Sequence, residues 1–260
     1  MGILNVTPDS FSDGGKYLDP KRALERARAL IAEGADLIDV GGESTRPGAT
    51  PVPPEEEWRR LEPVLKALTS ATATPISVDT RNAETARRAL DAGVSVVNDV
   101  SCARDPELLK TVAAAGAGYV LMHSRGEPAG MASLAEYRDV VGEVAAELRL
   151  GLDRALQAGI AAERVCVDPG FGFAKTPEQN WILLEGLARL AELGRPILVG
   201  LSRKRMLRER VGDDPAELLK AGLAAAGTAI GRGARLLRVH DVAAARDFLQ
   251  ALQKSEFSID

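Results

Sequence analysis

Residues 76–99, ISVDTRNAETARRALDAGVSVVND, hold the pattern that decides the fold. The apolar stretch ISVD predicts a buried strand, and an amphipathic helix pattern follows from Ala83 to Asp91. Gly93 comes after this helix, where a left-handed cap suits glycine, and the apolar stretch SVVND predicts a second strand. A strand, a helix and a strand in this order indicate a βα unit and a parallel sheet.

The same alternation of a short apolar stretch and a longer amphipathic stretch occurs eight times along the chain. Strands are predicted at GILNV near Met1, LIDV at Leu37, ISVD at Ile76, SVVND at Ser95, YVLMH at Tyr119, VCVDP at Val165, ILVG at Ile197 and LLRVH at Leu236. Helices are predicted over 20–33, 55–68, 83–91, 105–115, 137–158, 177–193, 215–232 and 241–254. Since α/β barrels commonly have about 250 residues, we expect one (β/α)8 TIM barrel, a single domain over residues 1–260.

Composition and charge narrow the class of function. The net charge is −4 without a long run of one sign, and 4% of residues are aromatic, which argues against a nucleic-acid surface. No apolar run approaches the ~20 residues that span a bilayer, and the opening MGILNVTPDS lacks a secretion signal. We therefore expect a cytoplasmic protein that acts on small molecules.

The metal-binding residue types are few. Cys102 and Cys166 lack the spacing of a disulfide framework or a zinc site, and we expect both to be structural. With only two histidines, His123 and His240, the chain cannot form a three-histidine zinc centre. Any metal is expected to be a hard ion with oxygen ligands.

Polar or small residues repeatedly end the predicted strands. They are Asn5, Asp39, Asp79, Asn98, Met122, His123, Asp168, Gly200, Arg238 and His240. In a (β/α)8 barrel the carboxyl ends of all strands meet on one face, where the active sites of this fold are built. Any one of these residues could instead cap a strand or start a turn. Together they predict one shared pocket.

Two predicted loops are longer than the usual 2–6 residues of a βα loop. They follow the first and second strands and contain NVTPDSFSDGG, residues 5–15, and GGESTRPGATPVPP, residues 41–54. Arg46 lies among glycines and prolines in the second loop and is a candidate anion clamp. The alternative for either loop is an ordinary surface connection.

Eight motifs occur in order at these strand ends: MGILNVTPDSFSDGG, GGESTRPGA, SVDT, NDVS, LMH, DPGFGFAK, GLSRK and RVHDV. Their sequence and order resemble the dihydropteroate synthases, a pterin-binding TIM-barrel family. The resemblance covers the full chain. It implies a transferase of folate biosynthesis that joins 6-hydroxymethyl-7,8-dihydropterin pyrophosphate to 4-aminobenzoate, giving 7,8-dihydropteroate and pyrophosphate. It also implies Mg²⁺, a homodimer through the helices near 216–231 and 243–252, and sensitivity to sulfonamides.

The resemblance assigns a pterin subsite deep in the barrel. A dihydropterin presents a row of N–H donors, which carboxylates accept in paired, charge-assisted hydrogen bonds. The residues assigned to this subsite are Asp79, Asn98, Met122, Asp168, Gly200 and Lys204. Without its GLSRK context, Lys204 would be interpreted as a solvated lysine of a basic run.

A second subsite is implied for the pyrophosphate, which needs cations and neutral donors. Asn5, Arg46, Arg238 and His240 match it, with Asn5 also a ligand of Mg²⁺. Asp13 matches an acid that orders the mobile loops and helps to stabilise a cationic intermediate. The residues predicted to be catalytic are therefore Asp13, Arg46, Lys204, Arg238 and His240. Taken alone, Asp13 suits a turn before Gly14, and His240 suits a cap.

The third implied subsite holds 4-aminobenzoate. Thr45, Pro47, Phe173 and Lys204 match it, although Phe173 could be ordinary loop packing, as we expect for Phe171. Many family members carry a small hydroxyl residue after the SRK lysine, where this chain has Arg205. If the Arg205 side chain points inward, it adds a cation for the carboxylate of 4-aminobenzoate. If it points outward, only the backbone N–H of Arg205 can donate to that carboxylate. The family also usually has a short segment ahead of the first strand. In this sequence the first predicted strand begins beside Met1.

Two other functions fit parts of the pattern. Corrinoid-linked methyltransferases that use methyltetrahydrofolate resemble this barrel and also place Asp and Asn on a pterin, but they bind no pyrophosphate. The joint presence of STRPG, SRK and RVHD favours the synthase. A barrel that binds pterin without catalysis is the remaining alternative.

Overall fold

Eight parallel strands form the centre of the computed structural model, which describes residues 1–7, 20–44, 48–49 and 51–256. The strands are β1 (Gly2–Asn5), β2 (Ile38–Gly41), β3 (Ile76–Asp79), β4 (Val96–Asp99), β5 (Gly118–Met122), β6 (Val165–Asp168), β7 (Ile197–Val199) and β8 (Ala234–Leu237). Each pairs with the next in sequence order. The N–H of Ile3 donates to the Val239 carbonyl at 3.0 Å and the N–H of Val239 to that of Met1 at 3.0 Å, which joins β1 to the end of β8. The predicted (β/α)8 architecture is confirmed.

Helices connect the strands. Within the described residues they are α1 (Pro20–Ala32), α2 (Pro54–Ala71), α3 (Ala83–Asp91), α4 (Pro106–Ala115), α5 (Val140–Gln157), α6 (Pro177–Glu185), α7 (Arg205–Val211), α8 (Pro215–Gly231) and α9 (Val242–Glu256). Short 3₁₀ helices cover Met131–Leu134, Ala162–Arg164 and Leu187–Leu193.

Three helix predictions need correction. The helix predicted from residue 137 begins at Val140, because the Asp139 carboxylate caps it by accepting from the Gly142 N–H at 3.0 Å. The helix predicted over 177–193 ends at Glu185, and a 3₁₀ helix follows Gly186, where Val141 leaves no room for a Cβ. The basic stretch after Lys204 was not predicted as a helix. It forms α7, which buries two apolar side chains within only seven residues.

Side chains on the strands alternate between the helices and the barrel interior, as they do in any barrel. Leu4, Val40, Val78 and Val97 face outward and belong to the main hydrophobic core. The residues between them face inward, and the pairing register places the strand-end residues side by side: Asn5 opposite Gly41, Gly41 opposite Asp79, Asp79 opposite Asn98, and Met122 opposite Asp168. Alternation therefore gathers the polar strand ends on one face.

Two further features concern the cysteines and the helices. Both cysteines are free thiols, with Cys102 buried and Cys166 partly buried. Burial raises the pKa of the Cys166 thiol to about 12, so this thiol is unreactive. In the described part of the chain, no helix combines the length and the apolar character that crossing a membrane requires.

Candidate functional site

A cleft of about 660 Å³ opens at the carboxyl ends of the strands. Most of the residues predicted from the sequence line it: Asn5, Asp79, Asn98, Met122, Asp168, Phe173, Gly200, Lys204, Arg238 and His240, together with Arg205. They come from β1, β3, β4, β5 and β6 and from the ends of β7 and β8, so residues from both ends of the chain meet in one cavity. Asp13, Thr45, Arg46 and Pro47 lie outside the described residues.

The floor of the cleft is built around Arg238. Its guanidinium donates from Nε to Asp39 Oδ2 at 2.6 Å and from Nη2 to Asp79 Oδ2 at 2.9 Å. Asn98 Nδ2 donates to the same Asp39 oxygen at 3.1 Å. Asp39 is fully buried, and Arg238 pairs with both carboxylates. The sequence analysis assigned Arg238 to the pyrophosphate subsite. In the structure, two N–H donors of Arg238 face carboxylates of neighbouring strands.

Acceptor oxygens at this floor have no protein partner. Among the described residues, Oδ1 of Asp39, Asp79 and Asn98 are buried without a hydrogen bond. A buried acceptor without a donor costs about 1–3 kcal/mol. Burial raises the pKa of the Asp79 carboxyl, and the Arg238 guanidinium opposes that effect. The floor therefore suits a planar ligand that carries several N–H donors.

Asp168 ends β6 on the other side of the cleft. It is 4% exposed, and its Oδ1 accepts from the Gly170 N–H at 2.7 Å. Burial raises the pKa of this carboxyl to about 6, against the Gly170 hydrogen bond and the positive charges of Lys204 and Arg238. Asp168 thus remains a charged acceptor at neutral pH, facing the same space as the floor.

The rim of the cleft is formed by the segments after β6, β7 and β8. The Lys204 ammonium lies 4.8 Å from the centre of the Phe173 ring, which places a cation beside an aromatic wall. Ser202 Oγ lies 3.0 Å from His240 Nδ1, and Arg203 pairs with Asp241 at 2.8 Å. These two contacts join the segment after β7 to the segment after β8.

Arg205 and Phe171 have clear positions. The Arg205 side chain is 80% exposed and pairs with Glu209 one turn along α7, at 2.8 Å. Its guanidinium is therefore turned outward, which agrees with the second of the two alternatives from the sequence. Phe171 is buried in the hydrophobic core, as its predicted packing role requires, and it also borders the cleft.

Sequence reasoning missed several residues of this site. Asp39 was noted as a strand end in LIDV but was not assigned to a subsite, although it anchors Arg238. Lys175, the last residue of DPGFGFAK, lines the cleft as a buried lysine. Ser202 and Arg203 lie inside GLSRK and join the two rim segments. The quoted motifs contained three of these residues, but only the contacts distinguish their roles.

Comparison with known proteins gives one consistent assignment. The family described as pterin binding enzyme matches residues 1–240. The dihydropteroate synthase of Neisseria meningitidis serogroup C is 47% identical over 256 residues, which cover 96% of this chain and 90% of that protein.

Two solved structures share the fold at high identity. Xanthomonas albilineans dihydropteroate synthase with 4-aminobenzoic acid has a TM-score of 0.92 and 48% identity, with 100% of this chain and 93% of that chain covered. Thermus thermophilus dihydropteroate synthase in complex with 6HMPPP has a TM-score of 0.84 and 45% identity, with 98% and 92% covered. The chain therefore belongs to the family of pterin-binding enzymes, among its dihydropteroate synthases.

Proposed function

We propose that this chain condenses 6-hydroxymethyl-7,8-dihydropterin pyrophosphate with 4-aminobenzoate in the cleft described above, releasing pyrophosphate and 7,8-dihydropteroate. The observation that carries the proposal is the pair of unpartnered acceptor oxygens on Asp79 and Asn98, two residues that line the cleft. A dihydropterin brings the N–H donors that these oxygens lack. The relatives named above bind or act on the corresponding substrates.

The pterin would lie between the floor and Asp168. The Asp79 oxygen that does not face Arg238 accepts one ring N–H, and Asp168 accepts the paired donors of the ring edge. Arg238 opposes the rise in pKa that burial gives the Asp79 carboxyl, because its guanidinium pairs with that carboxylate. Met122 and Gly200 would contact the faces of the ring, and Lys204 would donate to its oxygen or nitrogen.

The pyrophosphate would lie toward the mouth of the cleft. His240 lines this part of the cleft, Arg238 would approach it from the floor, and we assign Arg46 to it as well. Asn5 at the end of β1 offers an amide oxygen of the type that Mg²⁺ accepts, and Mg²⁺ in phosphate sites usually has few protein ligands plus phosphate oxygens. When bound, Mg²⁺ would neutralise part of the charge that develops on the leaving group. Among the described residues, no group of three His, Cys, Asp or Glu side chains could hold a metal by itself.

The reaction we infer is dissociative. The bond from the pterin methylene carbon to the pyrophosphate oxygen breaks first, and its electron pair leaves with the pyrophosphate. The nitrogen of 4-aminobenzoate then attacks the methylene cation and loses a proton. The chain would act mainly by orienting the two substrates and stabilising charge, with Asp13 assigned to the cation. No general base is needed, because the arylamine is already neutral.

The second substrate would lie along the rim. Phe173 offers an aromatic wall, and Lys204 holds a cation above it that suits a carboxylate. Thr45 and Pro47 are assigned to the other side of the ring. We also propose a homodimer through α8 and α9, since Leu219, Leu223, Phe248 and Leu249 are only partly buried on these helices. A cytoplasmic location stays a prediction.

Turnover with defined substrates tests the function. Purified protein, Mg²⁺, the pterin pyrophosphate and 4-aminobenzoate should together give dihydropteroate and pyrophosphate. Methyl transfer from methyltetrahydrofolate to a corrinoid, without condensation, would identify the methyltransferase alternative. Pterin binding in a calorimeter without turnover would identify the non-catalytic alternative.

Arg46→Ala tests the pyrophosphate subsite. We expect turnover to fall on the order of a hundredfold while pterin affinity changes much less, because Arg46 should act on loop order and on developing charge. The measurement is kcat beside the Kd of the pterin alone. Equal losses in both would show that Arg46 only binds substrate.

A further inference from the structure

A buried lysine lies beneath the segment that follows β6. Lys175 is 8% exposed, and its ammonium donates to the carbonyl oxygens of Gly170 at 3.1 Å and Phe173 at 3.0 Å. Its third neighbour is His123 Nδ1, at 2.9 Å. One side chain thus connects two backbone carbonyls of this segment to the end of β5.

The segment has a backbone that needs such support. Gly170 and Gly172 have φ of 67° and 82°, and Ala174 has φ of 47°, a left-handed conformation that is unfavourable for a residue with a Cβ. A side chain at Gly170 would collide with the carbonyl oxygen of His123, so the segment lies directly against the end of β5. Unfavourable backbone conformations persist only where surrounding contacts determine them.

The two carbonyls that accept from Lys175 lie next to groups that the proposed function places in contact with the substrates. The N–H of Gly170 donates to Asp168 Oδ1 at 2.7 Å, so fixing Gly170 fixes the Asp168 carboxylate. Phe173 presents its ring to the Lys204 ammonium at 4.8 Å. Lys175 therefore contacts the backbone of the pterin side and the aryl side of the cleft at once.

The hydrogen-bond chemistry of this cluster constrains the state of His123. An ammonium has three donors and no acceptor, so His123 Nδ1 must accept from Lys175. The proton of a neutral His123 then lies on Nε2, which donates to Glu147 Oε2 at 3.1 Å. Glu147 is in turn held by Arg125, whose Nε donates to its Oε1 at 3.0 Å.

The pKa directions agree with a neutral histidine. Burial and the positive charge of Lys175 together lower the pKa of His123 to about 4, against the opposing effect of Glu147. Burial also lowers the pKa of Lys175 to about 7, and the Asp168 carboxylate opposes that effect. Two neighbours of the lysine nitrogen are carbonyl oxygens, which only accept, and the Glu147 carboxylate takes the proton donor of neutral His123 on Nε2, which leaves Nδ1 as the third acceptor. The ammonium is therefore the form that the geometry fits.

We propose that Lys175 is a positioning residue for both substrates: its ammonium clamps the carbonyls of Gly170 and Phe173, and neutral His123, protonated on Nε2, holds that ammonium in place. This rests on the proposed function for the identity of the substrates. The arrangement of the cluster itself does not depend on it.

The histidine tautomer can be measured without any substrate. The chain has two histidines, so the protein labelled with ¹⁵N-histidine gives a simple imidazole spectrum, and His123→Gln assigns the signals. At pH 6.5 we expect neutral His123 with its proton on Nε2. A proton on Nδ1, or an imidazolium, would overturn the proposal whatever the enzyme turns over.

Variants of Lys175 test the effect on substrates. Lys175→Met removes the ammonium. It should lower kcat, lower the affinity for the pterin and raise the KM for 4-aminobenzoate, each on the order of tenfold. Lys175→Arg keeps a charge and donors and should recover part of the loss. Lys110→Met, at an exposed lysine that pairs with Glu107, is the matched control and should behave as wild type.

The outcomes separate positioning from folding. A merely structural role would lower the Tm of Lys175→Met and leave kcat and KM of the folded protein within twofold of wild type, which would overturn the proposal. If Lys175→Met does not fold, the proposal is tested by the kinetics of Lys175→Arg and by the tautomer of His123. A wild-type protein without turnover, but with the expected tautomer and pterin binding, would instead refute the proposed function.

Discussion

At the residue scale, the site depends on one arginine held between two carboxylates. Asp39 and Asp79 pair with Arg238 at 2.6 and 2.9 Å. These two ion pairs occupy donors of the guanidinium that could otherwise bind another anion. The pairing lets two acids share the buried barrel interior, because the guanidinium offsets their mutual repulsion. Asp39 is fully buried and does not line the cleft, so it acts on the pterin floor through Arg238.

The charge of Asp39 can be removed with little change in shape. Asp39→Asn keeps an acceptor for Arg238 but leaves the buried cation with one carboxylate, and breaking a buried pair costs about 3–5 kcal/mol. We expect the free energy of unfolding to fall by roughly 2–4 kcal/mol in urea titrations, and pterin affinity to fall with it. Asp36→Asn, at an exposed carboxylate 3.6 Å from Arg246, is the control and should have little effect. Equal stability of the two variants would contradict this account.

Binding of the pterin should depend on pH. Burial raises the pKa of Asp168 to about 6, and the charged form is the better acceptor of N–H donors. Below this pKa the protonated carboxyl accepts poorly, so the Kd for the pterin should increase as the pH falls from 7.5 to 5. Calorimetry across this range checks the trend. Asp168→Asn should bind weakly with a flatter profile, and an equally steep profile in that variant would assign the titration to another group.

At the element scale, most of the fold follows from the sequence, and the misses have identifiable physical causes. The strands were predicted to within a few residues because each is a short apolar stretch ended by a polar residue. Only tertiary contact explains why the helix after Thr176 stops near Gly186, where Val141 packs closely. The helix α7 has too few residues to show a helical hydrophobic repeat, and its charged residues indicated a solvated stretch.

Glycines in the left-handed region give a matched pair of variants. Gly170 and Gly194 have nearly equal φ of 67° and 66°, but a Cβ at Gly170 would meet the His123 carbonyl, while nothing lies within 4 Å at Gly194. Gly194→Ala should cost about 1–2 kcal/mol from its backbone alone. Gly170→Ala should cost more and should also weaken pterin binding, since it separates β5 from the segment after β6. Chemical unfolding of both proteins gives the comparison, and equal costs would mean that the collision is relieved elsewhere.

At the scale of the whole molecule, the site exists only when the barrel closes. Asn5 on β1 and His240 after β8 line the same cleft because the edges of the sheet meet at Gly2 and Val239. The sequence predicted this gathering, since parallel strands of a barrel end on one face. It could not predict which side chains pair with one another there, because contacts such as Arg238 to Asp39 link residues 199 positions apart. The residues of the two long loops, including Asp13 and Arg46, keep their predicted roles as proposals.

The most direct test compares product formation by the wild type and Asp168→Asn under identical conditions with Mg²⁺. We predict that the wild type forms dihydropteroate and pyrophosphate in equal amounts, only when 4-aminobenzoate is present. Folded Asp168→Asn should lose on the order of a hundredfold in kcat/KM, because the pterin loses its charged acceptor. A wild type that forms no dihydropteroate, or an Asp168→Asn protein as active as the wild type, would contradict the account.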